Sequence, residues 1–233
     1  KDQALKIRAI ISDFLGNDTF KNLKFIEVGC GTGEISAFFA DKTNLVWGIE
    51  IDVSNILKHQ ISIFPNLAFS QANGAHLPFK DASFDLVLFP QVYEHTTQQQ
   101  EVIDEIFRIL KPGGICFFSG PNRFRLIEPH YFLPFLSWLP HRLSDAYLKF
   151  TKKGVVYDIY PRNYWRLKKL TKTFKRFDYT YRIIQNQKGF FLNHKVKPSF
   201  LAKLPTLLIK FLAPIYPNYN WILVKKEKQL TNM

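Results

Sequence analysis

Between Glu27 and Gly33 the chain reads Glu-Val-Gly-Cys-Gly-Thr-Gly, which sets Gly29, Gly31 and Gly33 one residue apart, with Cys30 among them. A glycine loop lets a ligand approach the backbone where a Cβ would obstruct it, and it turns helix N-terminal amides toward that ligand. The spacing narrows the choice. A dinucleotide fingerprint would place its third glycine at position 34, where this chain has Glu34, a carboxylate that repels a pyrophosphate. Glu27, just ahead of the loop, suits a ligand carrying positive charge. Glu50, 23 residues further on, stands where a carboxylate accepts hydrogen bonds from both hydroxyls of a ribose. His95 is the candidate general base for a nucleophile that must lose a proton, a contribution of ~10²- to 10⁴-fold. Its competing role, beside Glu94, is to cap or orient the loop. Gln91, Tyr93, Tyr131, Tyr157 and Tyr160 are further candidates to line an acceptor pocket. His130 and His141 lack a partnered cysteine or carboxylate pattern, so no metal site is expected.

These residues need a scaffold, and the hydrophobic pattern supplies one. Gln3 to Leu15 has apolar residues at helical spacing, and Gly16 with Asn17 stops it. Lys24 to Val28 is a short apolar strand that leads into the glycine loop and the helix Glu34 to Asp41. The unit recurs in the strand Asn44 to Glu50, a helix capped by Ser54 and, after Pro65 and Asn66, the strand Leu67 to Gln71. Phe84 to Phe89 is a fourth buried strand, Thr97 to Leu110 an amphipathic helix, and Ile115 to Ser119 a fifth strand beyond Pro112, Gly113 and Gly114. Strands alternating with helices imply a parallel sheet with right-handed crossovers. The regularity fails after Gly120 until the helix Arg162 to Thr173. Strands over Phe177 to Gln185 and Asn220 to Lys225, separated by a second insertion, close the chain.

In this order the blocks resemble the class I S-adenosylmethionine-dependent methyltransferases. Phe25-Ile-Glu-Val-Gly-Cys-Gly-Thr-Gly33 is similar to the first motif of that family and Val46-Trp-Gly-Ile-Glu50 to the second. Asn73-Gly-Ala-His-Leu-Pro-Phe79 and Ser83-Phe-Asp-Leu-Val87 resemble the third and fourth, and Glu94-His95 and Leu110-Lys-Pro-Gly-Gly114 complete the series. The resemblance implies a doubly wound, mostly parallel seven-stranded α/β sheet, Rossmann-like, with lid insertions. It implies one domain over 1–233, a cofactor core at 24–120 and substrate insertions at 121–160 and 186–219. It implies S-adenosylmethionine as cofactor and its demethylated form, S-adenosylhomocysteine, as product. Gly29 and Gly31 would then line the methionine part, Glu50 the ribose and Ile51 the adenine face, with Glu27, Cys30 and Gly33 also in the cofactor set. Asn73 and Gly74 would meet the adenine edge, and Phe89 would join the cofactor set from the fourth strand. The family commonly has Asp where Asn73 stands, and an amide still offers both an acceptor and a donor.

Composition bounds the partners. The 233 residues are 46% hydrophobic and 16% aromatic, enough for a packed core, and the two cysteines, Cys30 and Cys116, make no disulfide framework. That fits a reducing, cytoplasmic setting, and no secretory signal is visible from Lys1 onward. Residues 1–120 carry 10 Lys and Arg against 14 Asp and Glu, whereas 121–233 carry 22 against 5. A basic, aromatic second half suits an anionic acceptor or an anionic membrane surface at which the protein is peripheral. Lys203 and Lys210, seven residues apart, would sit on one side of an interfacial helix, although Pro205 interrupts it. The chain therefore reads as a methyltransferase for a small-molecule or lipid-like acceptor. An RNA methyltransferase and a non-catalytic cofactor-binding protein are the alternatives, the RNA reading weakened by the lack of an aromatic strand platform. Acceptor identity and oligomeric state are not legible.

Overall fold

Short apolar runs that are buried almost without interruption build the centre of the molecule. The computed structural model describes residues 2–18, 20–57, 64–191 and 200–226. Helix α1 (Asp2–Leu15) precedes β1 (Phe20–Val28), α2 (Glu34–Ala40), β2 (Thr43–Glu50), α3 (Val53–Leu57) and β3 (Leu67–Gln71). There follow β4 (Phe84–Pro90), α4 (Gln99–Ile109) and β5 (Leu110–Pro121). A two-stranded hairpin of β6 (Ile127–Glu128) and β7 (Leu133–Pro134) comes next, with α5 (His141–Phe150) and α6 (Tyr164–Leu170). The chain closes with β8 (Phe174–Asp178), α7 (Thr180–Gln185), α8 (Thr206–Phe211) and β9 (Asn218–Lys225). Seven strands form one sheet in the order β3-β2-β1-β4-β5-β9-β8, in which β9 alone runs antiparallel to its neighbours. This is the doubly wound α/β sheet that the sequence implies.

The sheet is covered on both faces, as a mainly parallel sheet must be. Ile26, Val87, Phe89, Cys116 and Phe118 point to one layer, where Val102, Ile103, Ile106 and Ile109 of α4 meet them. Phe25, Leu86, Leu88 and Phe117 point to the other, against Ile7, Ile10 and Ile11 of α1 and Phe39 of α2. Order reverses between β1 and β4, so the loops leaving their C-terminal ends diverge and open a crevice there.

Three expectations need correction. The run 177–185 is not one strand: the Asp178 carboxylate accepts the Thr180 N–H at 2.8 Å, the chain turns, and 180–185 becomes α7. The region after Gly120 is not without regular structure, since Pro140 opens α5 and the alternation that a strand would need is absent there. Lys203 and Lys210 do not share a helix, because Pro205 separates a 3₁₀ turn at Phe200–Lys203 from α8. Part of the second insertion lies outside the described residues.

The first insertion has its own small core of Leu133, Leu136, Leu148, Tyr157 and Ile159. Its return segment, 157–162, is strapped to the sheet domain. The Tyr160 N–H donates to the Glu94 carbonyl at 2.7 Å, and the Gln99 amide donates to the Tyr160 carbonyl at 2.8 Å and the Tyr93 carbonyl at 2.9 Å. Arg162 donates through its backbone to the Tyr93 hydroxyl at 3.1 Å and through its guanidinium to Gln99. Tyr93, fully buried, also donates its hydroxyl hydrogen to the Pro121 carbonyl. A Cβ at Gly120 would overlap the Tyr93 ring, which these bonds hold in place. Gly120→Ala should therefore cost at least ~1–3 kcal/mol by overpacking. Urea unfolding checks this, and an unchanged midpoint would mean that Tyr93 can move aside.

Candidate active site

The glycine loop leaves β1 at the crevice, and the end of β2 holds it open. The Ile49 carbonyl accepts the N–H groups of Gly29 at 2.8 Å and Cys30 at 2.9 Å. Gly29, Gly31 and Gly33 have φ of 73°, 53° and 78°, left-handed values that favour glycine. Gly29 has a second reason to be glycine, since its Cβ would stand 2.6 Å from the Val92 side chain. Around Gly31 a Cβ would meet nothing within 4 Å, so the loop faces open space. One Glu50 carboxylate oxygen accepts the Gly31 N–H at 2.7 Å, and the other accepts those of Ile51 at 2.9 Å and Asp52 at 3.2 Å. A carboxylate has about four acceptor positions. Three are used by the backbone, which leaves room for one further strong donor rather than the two expected of a ribose.

A cavity of about 310 Å³ adjoins this loop, within the range of small-molecule sites. Gly29, Gly31, Glu50, Ile51, Asn73, Gly74, Phe89 and His95 all line it, together with Gln91 and Val92. Ile51 is 64% exposed, as a side chain that covers a flat ring from outside would be. Asn73 is turned inward: its oxygen accepts the Ala75 N–H at 2.9 Å and its nitrogen donates to Gln98 at 3.2 Å. Glu27, Cys30 and Gly33 are not among the lining residues. Glu27 lies beneath the loop, where it accepts the Ser36 hydroxyl at 2.6 Å. Tyr93 and Tyr157 are buried in packing, and Tyr131 donates to Asp158 at 3.0 Å, so none of these three lines the cavity. A larger cavity of about 570 Å³ opens at the sheet edge by β8 and α7 and shares no residue with the first.

His95 meets a residue that spacing could not pair with it. The hairpin of the first insertion brings His130 to it edge-on, with ring centroids 5.0 Å apart. Glu94, His95 and His130 place their potential ligand atoms within 4.8 Å of one another, a cluster the sequence did not disclose because 34 residues separate its two parts. The His130 Nδ1 lies 2.6 Å from the buried Glu128 carboxylate, which raises the histidine above its ordinary pKa. Desolvation and the neighbouring His130 lower that of His95. Burial pushes Glu94 up to about 7.

Comparison with known proteins accounts for this architecture. Residues 26–118 match the family model described as a methyltransferase domain. Over 98 residues the chain is 38% identical to a probable S-adenosylmethionine-dependent methyltransferase of Mycolicibacterium smegmatis, covering 42% of this chain and 38% of that one. It is 34% identical over 124 residues to a demethylmenaquinone methyltransferase of Tropheryma whipplei, covering 51% and 50%. The chain thus spans half or less of the length of these relatives. The crystal structure of YcgJ from Bacillus subtilis shares the fold at a TM-score of 0.59 and 15% identity, covering 97% of this chain and all of that one. Residues 26–118 are thus similar to a methyltransferase domain, and the sheet they build shares the fold of that solved structure.

Glu27 offers a test of the loop's interior. Burial raises its pKa from 4.5 to about 8, with the Ser36 hydrogen bond opposing the shift. Between those values the native carboxyl keeps a proton that the unfolded chain has lost, so stability falls as pH rises through the window. Glu27→Gln should flatten that part of the profile in denaturant titrations at pH 5 and pH 8. An unaltered slope would show that Glu27 is ionised in the native protein.

Proposed function

We propose that the chain transfers the methyl group of S-adenosylmethionine to a small-molecule or lipid-like acceptor, and that it does so at an anionic membrane surface. The cofactor, when bound, supplies a methyl carbon on a sulfonium whose leaving group is a neutral thioether. Little chemistry is then left to the protein beyond holding the acceptor in line, which is worth several kcal/mol on its own. Gly29 and Gly31 admit the cofactor close to the backbone, the remaining acceptor position of Glu50 takes a ribose hydroxyl, and Ile51 covers the adenine. The pocket fits these roles by its open loop and its single unfilled carboxylate position. His95 stands at the acceptor side of the same cavity.

One observation carries the membrane part. The outer face of α5 presents Arg142, Leu143, Ala146, Lys149 and Phe150, residues three and four apart and all exposed, while Ser144 and Leu148 face inward. An exposed face that mixes apolar and basic groups belongs at a lipid–water boundary. The same insertion adds Phe132, 73% exposed, and Phe135, both in left-handed backbone that is uncommon for residues with a side chain. Phe150 is 85% exposed. Lys152 and Lys153 follow directly. The relative that acts on a menaquinone precursor, by its name, supports an acceptor with an apolar body. Among the described residues no helix is long and apolar enough to cross a membrane.

Calorimetry should show that S-adenosylmethionine and its demethylated product bind while NADH does not, and that Glu50→Ala weakens both adenosyl ligands by ~1.5–3 kcal/mol. NADH binding without a response to the adenosyl ligands would sink the cofactor reading. Vesicles containing anionic lipid should retain the protein in preference to neutral ones, less so as salt is raised, and Phe150→Ser with Lys149→Glu should reduce retention. Equal retention by both kinds of vesicle, or by neither, would remove the membrane. Tight, salt-sensitive binding to RNA would instead favour a nucleic-acid acceptor.

A further inference from the structure

We infer that Glu94, His95 and His130 form a binding site for a divalent transition metal, zinc foremost, between the cofactor cavity and the first insertion. The case begins with Glu94. It is 1% exposed, yet neither carboxylate oxygen has a hydrogen-bond partner. A buried carboxylate without a partner is strongly unfavourable, and native proteins keep one where a cation or a reaction needs it. Among the described residues no lysine or arginine forms an ion pair with Glu94, and the groups that stand within coordinating reach of it are the imidazoles of His95 and His130.

The surroundings are built as those of a metal ligand are. A ligating histidine commonly has its second ring nitrogen engaged by a carboxylate, which fixes the ring and makes it a better donor. His130 has that arrangement: Nδ1 lies 2.6 Å from Glu128, leaving Nε2 for a metal. Glu128 is itself buried and accepts the backbone N–H groups of His130 and Tyr131, each at 2.8 Å. On the other side, the 3₁₀ turn Tyr93–His95 is held by the His95 N–H to the Val92 carbonyl at 3.0 Å and by the Tyr160 N–H to the Glu94 carbonyl at 2.7 Å. Both ligand-bearing segments are therefore fixed by bonds that do not use the ligand atoms.

The donor set selects the metal. Two imidazoles and one carboxylate suit zinc and its neighbours in the first transition row, whereas calcium and magnesium prefer oxygen alone. Three protein ligands leave a coordination position open, the pattern of sites that bind a reactant rather than brace a fold. His95 lines the cofactor cavity as well. An acceptor bound through oxygen at the open position would thus stand beside the methyl donor, and a hydroxyl held there gives up its proton to solvent water at lower pH than a free one does. The acceptor class that follows is a hydroxylated molecule methylated on oxygen. This last step rests on the methyl-transfer reading; the metal site does not.

The test uses the full chain, stripped with a chelator and titrated with Co²⁺ alone. One equivalent should produce visible absorption bands of cobalt bound by nitrogen and oxygen, and Zn²⁺ should displace it. His130→Ala, at a residue about one-third exposed, should weaken binding by ~100-fold or more, and Glu128→Gln by ~10- to 100-fold. Glu94→Gln should abolish the bands; if that variant does not fold, the two others decide. Calorimetry with S-adenosylmethionine on metal-free protein and on His130→Ala should give the same affinity. No bands in the parent protein, or the same bands in His130→Ala, would overturn the site. Bands with no cofactor heat would leave the site standing and remove the methyl-transfer reading.

Discussion

Everything near the crevice hangs on the way the last two residues of β2 spend their acceptors sideways. The Ile49 carbonyl and the Glu50 carboxylate take three consecutive N–H groups of the glycine loop, those of residues 29, 30 and 31. A loop with three left-handed glycines has high entropy when free, and these bonds are what select one shape for it. Once that shape is set, α2 starts in the right direction, its Ser36 reaches back to Glu27, and an apolar face containing Phe39 lands on α1 and β1. The cavity of about 310 Å³ is the space this leaves.

The chain is basic in bulk but keeps acids inside. Glu27, Glu94 and Glu128 are all buried, and each sits at or beside the crevice. Glu27 and Glu128 are satisfied by hydroxyl, amide or imidazole groups, whereas Glu94 is not. Burial raises the pKa of Glu27 and of Glu94, so this neighbourhood works against negative charge on both.

Much of this was legible in the residues. The five strands of the first half, the loop and the helices around them follow from local periodicity and glycine spacing, which are short-range signals. Asn73 shows where that ends, because the sequence places it at the pocket but cannot show that Gln98 and Ala75 occupy its amide. The break at Asp178 was hidden by an apolar and aromatic run that suits strand and helix alike, and a turn closed by the Asp178 side chain on the Thr180 N–H decided it. His130 could not be joined to His95 from spacing, since the link is a hairpin packed by tertiary contacts. Likewise α5 was lost in a stretch where apolar residues fall on both faces, Leu143 and Phe150 outward and Leu148 inward.

The strap at 157–162 bears on how such a chain can diversify. Its bonds to the sheet domain run to Tyr93 and Glu94 on the 3₁₀ turn Tyr93–His95 and to Gln99 at the start of α4. The insertion is in effect a cassette with two fixed terminals, one at the end of β5 and one on α4. Everything between those terminals can be lengthened, shortened or resurfaced while the glycine loop keeps its geometry. The surface of the insertion and the shape of the glycine loop are then separable traits in inheritance, free to change at different rates.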